Sequence, residues 1–107
     1  GSTRLARECA RGDLNAVQAA FRAAPEELNQ DDSGGNTPLQ IASLNGHTKI
    51  VKFLLSQGSR PDCESNDGDS PLIDAAENGH LDVVRLLLRA NPNPHHQNKR
   101  GQRAIDV

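Results

Sequence analysis

Tryptophan and tyrosine are missing altogether from these 107 residues, and phenylalanine occurs only twice. A core made without large rings has to come from Leu, Ile, Val and Ala, which favours thin, closely stacked helices over a thick sandwich. The shortage also removes the aromatic cage that a methylated lysine needs. Cysteine is scarce as well. Cys9 and Cys63 form no C-x-x-C, so neither metal nor redox chemistry is indicated, and a reduced, intracellular setting is expected. Cys9 falls where a compact apolar side chain packs. No apolar run approaches the roughly 20 residues that span a bilayer, and no signal-peptide pattern is present. There is no P-loop, no G-x-G-x-x-G at a strand-to-helix junction and no local nucleophile signature. No catalytic residue, cofactor or metal is therefore expected.

What the chain does contain is a repeat. GGNTPLQIASLNGHTKIVKFLLSQ, from Gly34 to Gln57, returns as DGDSPLIDAAENGHLDVVRLLLRA from Asp67 to Ala90, each position displaced by 33 residues. Thr37 falls on Ser70, Pro38 on Pro71, Leu39 on Leu72, Ala42 on Ala75, Gly46 on Gly79, His47 on His80, Val51 on Val84 and Leu55 on Leu88. Upstream, Thr3, Leu5, Gly12 and Val17 keep the register at an offset of 34, the extra residue falling in the loop Ala24–Leu28. Downstream, Gly101 and Ile105 restart it over Gly68 and Leu72. A fixed period of this length marks a stacked-repeat protein, in which each unit needs only its neighbours for a continuous core. One domain is expected over 3–107, with units at about 3–36, 37–69 and 70–102 and the start of a fourth at 103–107. Gly1-Ser2 reads as a cloning remnant, and the short fourth unit as a sign that the chain was cut from a longer protein.

The pattern G-x-T-P-L-x-x-A-x-x-x-G-H followed by V-x-x-L-L resembles the ankyrin repeat, closely in units two and three and loosely in unit one. The resemblance implies an all-α solenoid: antiparallel helix pairs joined by hairpin fingers. It also implies that His47 and His80 sit between helices and bond backbone groups rather than bind a metal. More narrowly, NDGDSPLIDAAENGHLDVVRLLL, then N-P-x-P and K-R-G, is similar to the ankyrin arrays of chromatin co-repressor scaffolds in histone deacetylase complexes. That likeness points to a nuclear scaffold.

Local chemistry places the helices. In unit one they are expected at about Arg4–Arg11 and Asp13–Ala23, with Glu8 replacing the small residue of the other units because nothing packs on that face. Pro25 ends the second helix, and Gly34, Gly35 and Asn36 are expected to supply positive-φ turn positions. Thr37-Pro38 starts unit two with a T-x-x-Q capping box completed by Gln40. Asn45-Gly46 stops its first helix, and Gly58 its second. Unit three follows the same script from Ser70-Pro71 to Asn78-Gly79, with Asn91 as the closing cap and a stiff Pro92–Pro94 linker. Both phenylalanines, Phe21 and Phe53, are assigned to the core.

Function is then sought on the surface. In a stack of this type the finger tips and the exposed positions of each first helix line one concave face. That face is expected to carry Ala10 and Arg11 from unit one, and Asp31, Ser33, Asn36, Leu44 and Asn45 from unit two. Unit three adds Glu64, Asn66, Asp67, Asp69, Glu77 and Asn78, and the fourth Gln97, Lys99, Arg100 and Gln102. Ile41 and Asp74 are expected at its border. Leu44 is the candidate apolar anchor for a bound peptide. The charge is divided along the chain: Pro61–Val84 holds seven acids and no Lys or Arg, whereas Arg85–Ile105 holds five bases and no acid. The acids favour a basic or amphipathic partner segment. The bases Arg85, Arg89, Lys99, Arg100 and Arg103 raise nucleic acid as an alternative, against which a pI near 6.1 and the missing aromatics both count. His95 and His96 point opposite ways in an extended segment and have no third ligand nearby, which argues against zinc. The expectation is a monomeric protein-docking module within a larger complex; a spacer inside a longer array is the remaining alternative.

Overall fold

Among the described residues, four of the six α-helices begin at a side chain that caps them. Thr3 Oγ1 accepts from Ala6 N at 3.1 Å and starts α1 (Arg4–Arg11); Asp13 accepts from Ala16 N at 3.3 Å and starts α2 (Leu14–Ala23). Thr37 and Gln40 complete the reciprocal capping box of α3 (Pro38–Leu44), with Thr37 N donating to Gln40 Oε1 at 3.0 Å. Ser70 Oγ accepts from Ile73 N at 3.1 Å and starts α5 (Pro71–Glu77). The partners α4 (Thr48–Ser56) and α6 (Leu81–Arg89) follow His47 and His80, whose side chains do not cap. The computed structural model describes residues 2–90 and 96–104. The expected cap at Asn91, the Pro92–Pro94 linker, His95 and Ile105 lie outside the described residues.

The helices form two layers. α3 lies between α1 and α5; α4 packs against both α2 and α6; and each first helix packs on its own second helix. The seam between the layers is aliphatic. Leu5, Val17, Leu39, Val51, Leu54, Leu72, Val83 and Leu87 are all buried, from every unit. Phe21 and Phe53 are only half-buried, meeting edge to face at the rim with ring centroids 5.7 Å apart, rather than sitting in the core. Among the described residues there is no strand: the fingers are turns.

Unit one uses its extra loop residues in a way the sequence pattern does not announce. Pro25–Glu27 forms one turn of 3-10 helix, and Leu28 behind it enters the core. The Glu27 carboxylate accepts the Leu5 N–H at 3.2 Å, satisfying one of the free amides at the start of α1 from 22 residues away. Glu8 is largely covered, and its carboxylate lies 3.4 Å from the Arg11 guanidinium, so the face is less open than expected.

The glycine-histidine pairs tie one unit to the next. Gly46 takes φ +72°, and a Cβ there would stand 2.5 Å from Nδ1 of His80. Only glycine clears that ring. The His80 Nε2 then meets the Leu44 carbonyl at 2.9 Å, so the ring of unit three bonds the end of α3. Gly12 faces His47 in the same way.

Leu72→Ala should therefore lower stability by about 2–5 kcal/mol, because Leu72 is 1% exposed. Leu81→Ala should change it by less than about 0.5 kcal/mol, because Leu81 is 65% exposed. Urea unfolding of the two variants measures both.

Candidate functional site

Three fingers share one construction. Asp32 N donates to Asn36 O at 3.0 Å, Ser65 N to Asp69 O at 2.9 Å, and Asn98 N to Gln102 O at 2.9 Å. In each, the glycine three places on (Gly35, Gly68, Gly101) takes positive φ and donates back to the first residue. Of the neighbouring glycines in the first finger only Gly35 has that conformation; Gly34 does not, so one positive-φ glycine suffices. The first residue also accepts with its side chain: Asp32 Oδ1 from Gly34 N and Asn36 N, Ser65 Oγ from Asp69 N, Asn98 Oδ1 from Arg100 N and Gln102 N. Asp32, Ser65 and Asn98 hold the fingers in shape, a role not expected from the sequence. Their signal was present as Asp, Ser or Asn followed by glycine three residues later, at the same period.

The fingers are also bonded side to side. Asn66 N donates to Gly34 O at 2.9 Å and its amide to Ser33 O at 2.9 Å; Lys99 N donates to Asp67 O at 2.9 Å. Successive tips are therefore held in one row. Beneath it, the Asp69 carbonyl accepts from Gln40 Nε2 and its carboxylate from Asn98 Nδ2, both at 2.7 Å. Asp69 is thus half-buried and spoken for, where the sequence suggested a free surface acid. His96 Nε2 stands 2.7 Å from Gly68 O and 3.1 Å from Glu64 Oε1.

Along this row Asp31, Ser33, Glu64, Asn66, Asp67, Lys99 and Arg100 are exposed, as are Leu44, Asn45, Glu77 and Asn78 at the ends of α3 and α5. Arg11 is exposed at the end of α1, and Asn36 and Ile41 are half-buried. Leu44 keeps 45% of its surface in solvent. Asn45 and Asn78 do double duty: their amides donate to Ile41 O and Asp74 O at 2.8 Å, closing the helix ends. The Arg100 guanidinium lies 3.6 Å from Glu77.

Asp74 is the departure. Expected at the border, it is 8% exposed in the first turn of α5. Burial, with Asp69 and Glu77 adding repulsion and Arg100 offsetting part of it, pushes its carboxyl from 3.8 up to about 7. The thiols are pushed the same way. Burial, helped by Glu8, takes Cys9 up to about 12, and burial also raises Cys63, whose sulfur lies 3.2 Å from Thr37 Oγ1. Both are protonated at neutral pH and poor nucleophiles.

The basic residues do not form one surface. Arg85 pairs with Asp82 at 3.0 Å and lines an outer groove between α4 and α6 with Lys52 and Arg89, whereas Lys99 and Arg100 are on the third finger.

The profile of the family described as "Ankyrin repeats (3 copies)" matches residues 5–98, most of the chain. The chain belongs to the ankyrin-repeat family. Its ankyrin units are 42% identical over 55 residues to BTB/POZ domain-containing protein 3 of Schizosaccharomyces pombe, covering 51% of this chain and 10% of that protein. They are 40% identical over 55 residues to human Ankyrin repeat domain-containing protein 39, covering 51% of this chain and 30% of that one. Ankyrin repeat and SOCS box protein 2 of Bos taurus matches at 37% over 51 residues, 48% of this chain and 8% of the relative. The chain thus spans under a third of each of these relatives' length. Ankyrin repeats are protein–protein interaction units, and this array is one. No helix among the described residues is long and apolar enough to cross a membrane.

Because folding raises the Asp74 pKa, the folded ankyrin array holds that proton more tightly than the unfolded chain. Below 3.8 both states are protonated and the carboxyl is neutral to stability; the penalty grows as pH rises and is complete above about 7. Asp74→Asn should therefore stabilise the protein at pH 8 by on the order of 2–4 kcal/mol and change little at pH 3.5. Urea unfolding at the two pH values gives the comparison.

Proposed function

We propose that this ankyrin array docks an extended, basic or amphipathic protein segment across the row of finger tips and the exposed ends of α3 and α5. The array is read as one domain, 3–107, with units at 3–36, 37–69 and 70–102 and a partial fourth. The observation that carries the reading is the pair of lateral bonds, Asn66 to Gly34 and Lys99 to Asp67, which hold the tips in a common row. A row that is already ordered loses little entropy when a partner binds. Leu44 supplies apolar area, and Asp31, Glu64, Asp67 and Glu77 supply negative charge. Arg11 at one end and Lys99 and Arg100 at the other bound the acidic stretch and confine a basic segment to it. The module acts by binding, as a monomer within a larger assembly, and performs no chemistry. The placement in a nuclear histone deacetylase scaffold rests on the likeness of the 66–88 segment to co-repressor arrays. A nucleic-acid role is not favoured, since Arg85 and Arg89 line a different surface from Lys99 and Arg100, and Arg85 and Arg100 are already paired with acids.

The test is comparative capture. Proteins retained from a cell extract by the wild-type array should be lost with Leu44→Ala or Asp67→Lys and kept with Leu81→Ala on the opposite layer. Asp69 is unsuitable for reversal because its carboxylate supports Asn98. Identical retention by all four proteins would eliminate this face as the docking surface.

A further inference from the structure

One carboxylate on this face stands without a bond among the described residues. Asp74 keeps only 8% of its surface in solvent, yet among the described residues its carboxylate makes no hydrogen bond and no ion pair, and its oxygens are not sealed from solvent. A buried polar group is ordinarily bonded, and a buried charge ordinarily paired. Its surroundings do not supply a counter-charge. From its own helix it faces Glu77, and from the preceding finger Asp69 and the Cys63 thiol. Arg100 of the following finger, the cation that lowers its pKa, is held 3.6 Å from Glu77 instead. The neighbouring α3, PLQIASL, contributes no titratable group at all.

The position in the array indicates what the vacancy accepts. Asp74 corresponds to Ile41 one unit earlier, and Glu77 to Leu44, each pair 33 residues apart. The docking face therefore changes from apolar to acidic in passing from α3 to α5. We propose that Asp74 is the seat for a lysine or arginine side chain of the docked segment, and that an apolar side chain of the same segment rests on Ile41 and Leu44. Packed helices stand about 8–10 Å apart, and an extended chain advances about 3.3 Å per residue. The two side chains are thus about three positions apart in the partner. This deepens the docking reading and rests on it: the face gives the location, and Asp74 gives the chemistry.

Arriving cation and carboxylate favour one another. In the free protein the carboxyl is pushed up to about 7, so it is more protonated than not at pH 6.5; an ammonium or guanidinium beside it draws the proton off. Binding near pH 6.5 accordingly releases a proton. Arg100 is the internal competitor, close enough to lower the Asp74 pKa without pairing with it.

The experiment is selection of a displayed random dodecapeptide library on the wild-type array, followed by calorimetry of the enriched peptides on variants whose fold is verified by amide spectra. The expected result is enrichment of Lys or Arg three positions from Leu, Ile or Val. Asp74→Asn should weaken such a peptide roughly ten- to hundredfold, the loss of a hydrogen bond to a charged group, and Arg100→Gln should leave it as tight or tighter. Peptides that bind this face, as judged by loss with Leu44→Ala, but lack a cation or ignore Asp74→Asn would overturn the cation seat and keep the docking face. Failure to enrich any peptide on this face would overturn both. Should Asp74→Asn not fold, the wild type decides alone: binding heats in buffers of different ionisation enthalpy at pH 6.5 reveal a released proton, or its absence overturns the proposal.

Discussion

Helices of seven to ten residues cannot hide their own leucines, and the whole structure follows from that constraint. Isolated helices this short are marginal in water. They persist here because each pair covers the apolar flank of the next, and Leu39, Leu54, Leu72 and Leu87 vanish from solvent together. The same stacking sets the fingers side by side, so that Gly34 and Asp67 carbonyls find amides 32 residues on. The ordered row of tips is thus a by-product of hiding the leucines, and a receptive surface comes with the fold.

The division of charge gains meaning in this setting. Seven acids concentrated within Pro61–Val84 would repel one another on any compact unit. The structure disperses several of them: Asp69 accepts from Asn98, Glu64 approaches His96, Glu77 holds Arg100 and Asp82 holds Arg85. Asp74 is the one drawn inward without such compensation, and a residue kept against its own solvation is the sort of position where stability has been given up for binding.

Much of this was legible in the sequence because helix limits are set locally. Thr37 with Gln40, Ser70 before Pro71 and glycine at 46 act within a few residues, and the period repeats the message. What escaped the sequence is where particular side chains turn once the helices are packed. Asp74 occupies the fourth place after its cap, as Ile41 does, and nothing in its neighbours along the chain reveals that it is buried with Arg100 of the following finger nearby. Asn45 and Asn78 read as surface amides, although each turns back to its helix end. Glu27, reaching the first amides of α1, is invisible to any local rule. Phe21 and Phe53 show the converse limit: hydrophobic identity marks them as core, but geometry leaves them at the rim.

The ring-and-notch arrangement gives the array a heading. Gly12 receives the imidazole of His47 and Gly46 that of His80, while among the described residues nothing stands within 4 Å of the equivalent point on Gly79. Unit two therefore accepts a ring from unit three and inserts one into unit one. Adding or removing a full 33-residue module would keep ring and notch in phase, and an odd residue is absorbed in a loop between helices, as at 24–28, where the offset is 34 and Gly12 still receives His47. Length in such a protein changes in whole links, with any fraction of a link taken up where the chain is loose.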